Sequence, residues 1–150
     1  HMYLSNFEEI FVISTAVIAS ILVILGFFII KWNKKKVQLD VILEYYKEAA
    51  DEKLIESQKN ILHKTNENKN YKMEECKDES MVCNFFEKWG FMVKANYLPF
   101  YIFKGSSRSE VMKQYEALVE YIECRQKDNP KYCNEFVYLY YRIKNNKFIE

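Results

Sequence analysis

The segment Ile10–Ile30 reads IFVISTAVIASILVILGFFII and is followed at residues 31–36 by KWNKKK. None of its 21 residues is charged, and as a helix at ~1.5 Å per residue it reaches about 31 Å, the thickness of a bilayer core. No small-residue cleavage pattern closes the run, and the basic flank follows it instead of preceding it, which disfavours a secretory signal. The sequence predicts a transmembrane helix over residues 10–30.

The charges on the two sides of this run predict its orientation. Four lysines follow it, whereas Glu8 and Glu9 precede it, so the positive-inside rule places the remainder of the chain in the cytoplasm. We expect a single-pass protein of the bacterial inner membrane. The residues expected to contact lipid headgroups are Lys31, Trp32, Lys34, Lys35 and Lys36.

The chain divides into segments around this helix. Residues 1–2 are interpreted as an expression scar and residues 3–9 as a short external N-terminus. Residues 31–36 form a basic juxtamembrane segment, and residues 37–150 form one cytoplasmic helical domain. Within that domain, residues 64–80 are almost entirely polar and are predicted to be an exposed loop leading into a helix.

The apolar residues after position 37 recur with helical spacing. The first helix is expected to continue to about Ala49, with Leu39, Ile42, Leu43 and Tyr46 on one face. The pattern Ser-x-x-Glu at 107–110 is typical of a capping box, and Asn129-Pro130 is typical of another helix start. The predicted fold is all-α: one N-terminal transmembrane helix that continues into a small cytoplasmic bundle of about four to five helices.

Catalytic and metal-binding patterns are missing from the sequence. His63 is the single histidine outside the scar, and the three glycines form no phosphate-binding loop. We therefore expect no enzyme activity, no cofactor and no metal. Residues 37–150 carry 18 Lys and Arg against 19 Asp and Glu, and such a near-neutral domain gives no reason to expect nucleic-acid binding.

Four cysteines, at positions 76, 83, 124 and 133, leave their chemistry open. A cytoplasmic domain is expected to hold them as free thiols. Their spacings, Cys-x6-Cys and Cys-x8-Cys, differ from those of zinc hairpins. Disulfides and a metal site stay as alternatives, because helix packing can bring the 76/83 segment near the 124/133 segment.

Glu87 stands out because it lies in Asn-Phe-Phe-Glu-Lys-Trp-Gly, among large aromatic residues. It is predicted to be a carboxylate with a perturbed pKa. The alternative is a carboxylate held by an Arg, a Tyr or the helix N-terminus of a neighbouring element.

The chain has 12 tyrosines, and the final helix groups several of them beside Arg142. Tyrosine suits surfaces that are partly buried and partly wet, so Tyr138, Tyr141 and Arg142 are predicted to form a partner surface. The alternative is that the tyrosines fill a small core.

The apolar run contains small residues one turn apart. Ala16, Ala19, Ser20 and Gly26 are predicted to permit close helix–helix contact in the bilayer, and hence a homo-oligomer.

The layout resembles a family of bacterial membrane proteins defined as a domain of unknown function. The similar stretches are the apolar run to Leu43, Asn84-Phe-Phe-Glu-Lys, and Gly105-Ser-Ser through Asn129-Pro-Lys-Tyr to Phe136-Val-Tyr-Leu-Tyr; the 64–80 segment has no counterpart. The resemblance implies a bacterial inner-membrane protein and brings no activity with it. It also implies that Glu87 and the Phe136–Tyr140 face are typical positions, and some members lie among mobile or phage-related genes.

The preferred interpretation is a membrane-anchored helical protein-interaction or regulatory module without catalytic activity, whose partners are the lipid bilayer and an unidentified protein. One alternative is a membrane-acting effector in phage defence or growth arrest. Another is an extracytoplasmic disulfide-bonded domain, which would follow from the opposite orientation.

Overall fold

The computed structural model describes residues 2–64 and 76–146, with side chains from residue 11 onward. These residues form α1 (Met2–Ala49), α2 (Glu52–Lys64), α3 (Lys77–Lys94), a 3-10 turn (Phe100–Phe103), α4 (Ser106–Asp128) and α5 (Asn134–Asn145). No strand occurs in either range. The predicted all-α class is confirmed, and α1 ends at Ala49 as predicted.

The chain separates into two compact units, His1–Leu39 and Asp40–Glu150. The first unit is the N-terminal part of α1, which includes residues 3–9 of the predicted external segment. From Phe11 onward α1 contains a window of mean hydropathy 2.8, none of it buried. By length and composition this helix can cross a membrane.

The second unit is built around an aromatic core. Trp89 on α3 is completely buried, and its ring lies 5.2 Å from that of Tyr45 near the end of α1. Phe86 stacks on Phe136 of α5 with ring centroids 4.7 Å apart. α3 carries the largest share of this core, because its buried residues recur every three or four positions: Glu79, Val82, Cys83, Phe85, Phe86, Trp89, Gly90 and Val93.

The buried face of α1 within this unit differs from the predicted one. Tyr45 is the buried residue, whereas Leu39, Leu43 and Tyr46 are each more than half exposed. Of the predicted face, Ile42 packs against the core. Apolar residues occupy several faces of this helix, so periodicity alone does not select the one that packs.

The polar segment 64–80 also needs correction. Its residues 65–75 lie outside the described residues, but α3 begins at Lys77, and both Cys76 and Glu79 are buried. The prediction of an exposed loop is therefore wrong for the end of this segment.

Two predicted helix starts are wrong as well. α4 begins after Gly105 without a side-chain cap, and α5 begins at Asn134 after Cys133, four residues beyond Pro130. Glu110 accepts a hydrogen bond from Gln114 Nε2 (2.8 Å) instead of closing a capping box. Gly105 has a φ of +71°, a conformation natural to glycine, and this sets the turn into α4.

Candidate functional site

The predicted partner residues come together on α5. Tyr138 and Arg142 are one turn apart, and Arg142 Nη1 donates a hydrogen bond to the Tyr138 hydroxyl at 2.6 Å. The Arg142 guanidinium also lies 4.4 Å from the ring centroid of Phe100. Packing on an aromatic face and a hydrogen bond to a hydroxyl fix the long Arg142 side chain, which lowers the entropy it would lose on binding.

These residues line a shallow depression of about 340 Å³. Its lining, called here the α5 surface, consists of Tyr138, Tyr141, Arg142, Asn145 and Asn146. Tyr141 is half exposed, and its ring is supported from below by Tyr140, with centroids 5.2 Å apart. Asn145 and Asn146 were not predicted from the sequence, although their amides add donors and acceptors at one end of the depression.

The charge of the α5 surface is positive. Among the described residues Arg142 has no carboxylate within ion-pair distance, whereas nearby Lys94 is paired with Glu135 at 2.9 Å. An arginine held on aromatic rings beside an exposed tyrosine is the residue combination that dominates binding energy in protein interfaces. The arrangement can bind a protein segment that brings a carboxylate or carbonyl oxygen.

The tyrosines divide between core and surface. Tyr45, Tyr115, Tyr121 and Tyr140 are buried, whereas Tyr141 is exposed. Tyr115 and Tyr140 stack with centroids 4.0 Å apart. Both interpretations of the tyrosine-rich sequence therefore hold, for different residues.

Glu87 lies against the start of α5. Its Oε2 accepts hydrogen bonds from the backbone N–H groups of Glu135 (2.8 Å) and Phe136 (2.9 Å), which satisfies two donors that a helix N-terminus leaves unpaired. Burial raises the pKa of the Glu87 carboxyl, and the two backbone hydrogen bonds oppose that shift. The carboxylate therefore holds the N-terminus of a neighbouring helix.

The same helix pair makes an unusually close approach at Gly90. A Cβ atom at this position would lie 2.2 Å from the carbonyl oxygen of Glu135 and 2.6 Å from its carbonyl carbon. Glycine is therefore required here because a backbone, not a flexible side chain, occupies the space.

A charged cluster that the sequence did not reveal joins α3 to the last turns of α1. Lys88 Nζ lies 2.9 Å from Glu44 and 2.5 Å from Glu48, and Trp89 Nε1 donates to the other oxygen of Glu48 at 3.1 Å. Burial opposes the charge of Lys88, but the two carboxylates raise its pKa overall. Glu44 and Glu48 are spaced one turn apart, which places them on one face; their partner on α3 is not readable from local sequence.

A second depression, of about 230 Å³, lies between the end of α1 and the start of α4. Tyr45, Phe85, Ser107 and Glu110 are among its lining residues. Burial raises the pKa of Tyr45 to about 12, although a hydrogen bond with Ser107 opposes the shift. This volume is below the usual range for small-molecule sites.

The anchor residues have simple surroundings. Trp32 is 74% exposed, and a Cβ atom at Gly26 would meet nothing within 4 Å. Ser20 Oγ donates to the carbonyl of Ala16 at 2.8 Å, so this hydroxyl is satisfied within its own helix. Lipid contact by the basic segment and helix contact through Ala16, Ala19, Ser20 and Gly26 stay predictions.

All four cysteines are thiols and none is in a disulfide. Within residues 11–64 and 76–146, no group of three or more His, Cys, Asp or Glu side chains is arranged to hold a metal ion.

Comparison with known proteins bears on the whole chain. A family model described as Domain of unknown function (DUF4760) matches residues 10–143. The chain belongs to this family. The DUF4760 match includes the apolar helix, Glu87 and Gly90, and it ends one residue after Arg142. No curated protein and no solved structure matches this DUF4760 chain.

Proposed function

We propose that this DUF4760 chain is a membrane-anchored helical interaction module without catalytic activity, whose protein partner binds the α5 surface. The observation that carries the proposal is the depression lined by Tyr138, Tyr141 and Arg142. A half-exposed tyrosine and an arginine stacked on Phe100 meet there. Pre-ordered aromatic and arginine side chains are typical anchors of protein interfaces.

The apolar helix supports an anchoring role better than the effector alternative. The Ser14, Thr15 and Ser20 hydroxyls all donate to carbonyls of their own helix. Between residues 11 and 30 the helix therefore presents no polar stripe of the kind that lines an aqueous pore.

The interaction is tested by a photo-reactive amino acid placed at Tyr141 in the full-length protein at native abundance. We expect a discrete crosslinked adduct, because this ring lies in the depression. A further Arg142→Ala substitution should reduce its yield about tenfold, which corresponds to ~1.4 kcal/mol of binding free energy. The adduct is measured by blotting and identified by mass spectrometry.

Tyr97 is the matched control position, since its side chain is 50% exposed, as is that of Tyr141, and it does not line the depression. The same probe at Tyr97 should give no adduct. Equal adducts at both positions, or none at Tyr141, would contradict the proposed surface. Thermal unfolding of the Arg142→Ala variant checks that the domain remains folded.

The proposal includes a cytoplasmic location for the helical domain and a bacterial inner membrane for the anchor. It rests on the four lysines after the apolar run. A reporter that is active only in the cytoplasm should be active when fused after Glu150, and a reporter that is active only outside should be silent. Replacing Lys34, Lys35 and Lys36 by Glu should shift the population toward the opposite pattern. Activity of the external reporter on the unaltered chain would overturn the orientation.

A further inference from the structure

The packing of α3 against α5 brings two of the four cysteines together. Cys83 lies on α3 one turn before Glu87, whose carboxylate bonds the backbone of Glu135 and Phe136. Cys133 is the residue immediately before α5. The turn of α3 that carries Cys83 therefore faces the start of α5, and the thiol of Cys83 is in a side-chain hydrogen bond with that of Cys133.

The two thiols lie in a small polar pocket inside the core. Cys83 is completely buried, and Cys133 is 4% exposed. Tyr132 hydrogen-bonds to Cys83, and its hydroxyl lies 3.2 Å from that of Tyr121. The hydrogen bond with Cys133, together with burial, raises the pKa of the Cys83 thiol. Both thiols are therefore protonated and unreactive while the helices stay packed.

The remaining cysteines differ in their surroundings. Cys124 is exposed on α4, and Cys76 is buried just before α3. Neither is among the thiol partners of Cys83. Oxidation within one chain should therefore select the pair on α3 and α5.

We propose that Cys83 and Cys133 are a redox-active pair that closes to an intramolecular disulfide on reaction with a small-molecule disulfide. The Cys133 thiolate attacks one sulfur of the oxidant, forms a mixed disulfide and releases the first oxidant thiol. The Cys83 thiolate then attacks the Cys133 sulfur, which forms the protein disulfide and releases the second thiol. The protein loses two protons and two electrons, and the oxidant becomes two thiols. This inference is independent of the proposed partner surface.

The test uses the full-length protein in detergent, equilibrated with mixtures of reduced and oxidised glutathione. After acid quenching and alkylation, mass spectrometry should show two of the four thiols lost in a single step. Digestion without reductant should give one peptide pair that joins Cys83 to Cys133. Dithiothreitol should restore all four thiols.

Three variants sharpen the result. Cys83→Ser and Cys133→Ser should each abolish the intramolecular link, whereas Cys124→Ser should leave it unchanged. Peptide mapping of the unaltered protein keeps the test valid if a serine variant fails to fold. Four thiols remaining in fully oxidised buffer, a link through Cys76 or Cys124, or arrest at the glutathione adduct would each overturn the proposal.

Discussion

Replacing Gly90 by alanine will lower the free energy of unfolding of the helical domain by about 2–3 kcal/mol. The new Cβ would lie 2.2 Å from the backbone oxygen of Glu135, so α3 and α5 must move apart. Helix propensity alone predicts the opposite sign, a gain of about 1 kcal/mol, because alanine is the better helix former. The sign of the effect therefore separates the two explanations.

Denaturant titration of the full-length protein in detergent measures this effect. Trp89 is completely buried in the domain whereas Trp32 is exposed, so fluorescence in a Trp32→Phe background follows the domain alone. Gly105→Ala is the control, because its Cβ meets nothing within 4 Å while its φ is +71°. It should cost about 1–2 kcal/mol through backbone strain alone. A Gly90→Ala protein that matches or exceeds the parent would show that the helices are not held in this contact.

Replacing Glu87 by alanine is expected to cost about 2 kcal/mol. The substitution leaves the N–H groups of Glu135 and Phe136 without their acceptor, and part-buried donors are expensive to leave unpaired. Glu87→Gln is the matched variant, since its amide oxygen can still accept both hydrogen bonds. The same fluorescence titration should find the glutamine protein within ~1 kcal/mol of the parent.

The pH dependence of the Glu87→Gln pair follows from the raised pKa of this carboxyl. The folded state binds the proton more tightly than the unfolded chain, for which a pKa of about 4.3 is usual. The contribution of Glu87 is therefore most favourable below that value and is lost as the pH rises through the raised folded pKa. The stability difference, parent minus glutamine variant, should fall over this interval. A difference that rises with pH would show that the backbone hydrogen bonds outweigh burial.

Much of the helical layout was predictable because it depends on local pattern. The apolar run, the end of α1 at Ala49 and the start of α2 at Glu52 follow from periodicity and from breaks in it. Contact between Tyr138 and Arg142 was also within reach, because side chains one turn apart on a helix are neighbours.

The predictions failed where long-range packing competes with local preference. The Ser107–Glu110 pattern satisfies the rule for a capping box, yet Glu110 bonds Gln114 and Gly105 sets the turn. Pro130 suits a first helical turn, yet α5 starts at Asn134. Sequence periodicity shows which face of a helix is buried but not which helix covers it.

The same limit explains why the tertiary contacts of α3 were only partly foreseen. Glu87 was singled out, and a neighbouring helix N-terminus was one of the partners considered for it. The approach of Lys88 to two carboxylates of α1 and the backbone contact at Gly90 arise between residues more than forty positions apart. Nothing local encodes such distances.

The cap on α5 comes from another helix, and this has a thermodynamic consequence for the surface that α5 carries. Cys133, the residue at the N-cap, makes no side-chain capping bond, so the order of the first turn is linked to the docking of α3 through Glu87. A partner that binds only ordered α5 raises the free energy of opening by RT ln(1 + [L]/Kd). By reciprocity, any change that loosens the contact between α3 and α5 weakens that partner's binding by the same coupling free energy.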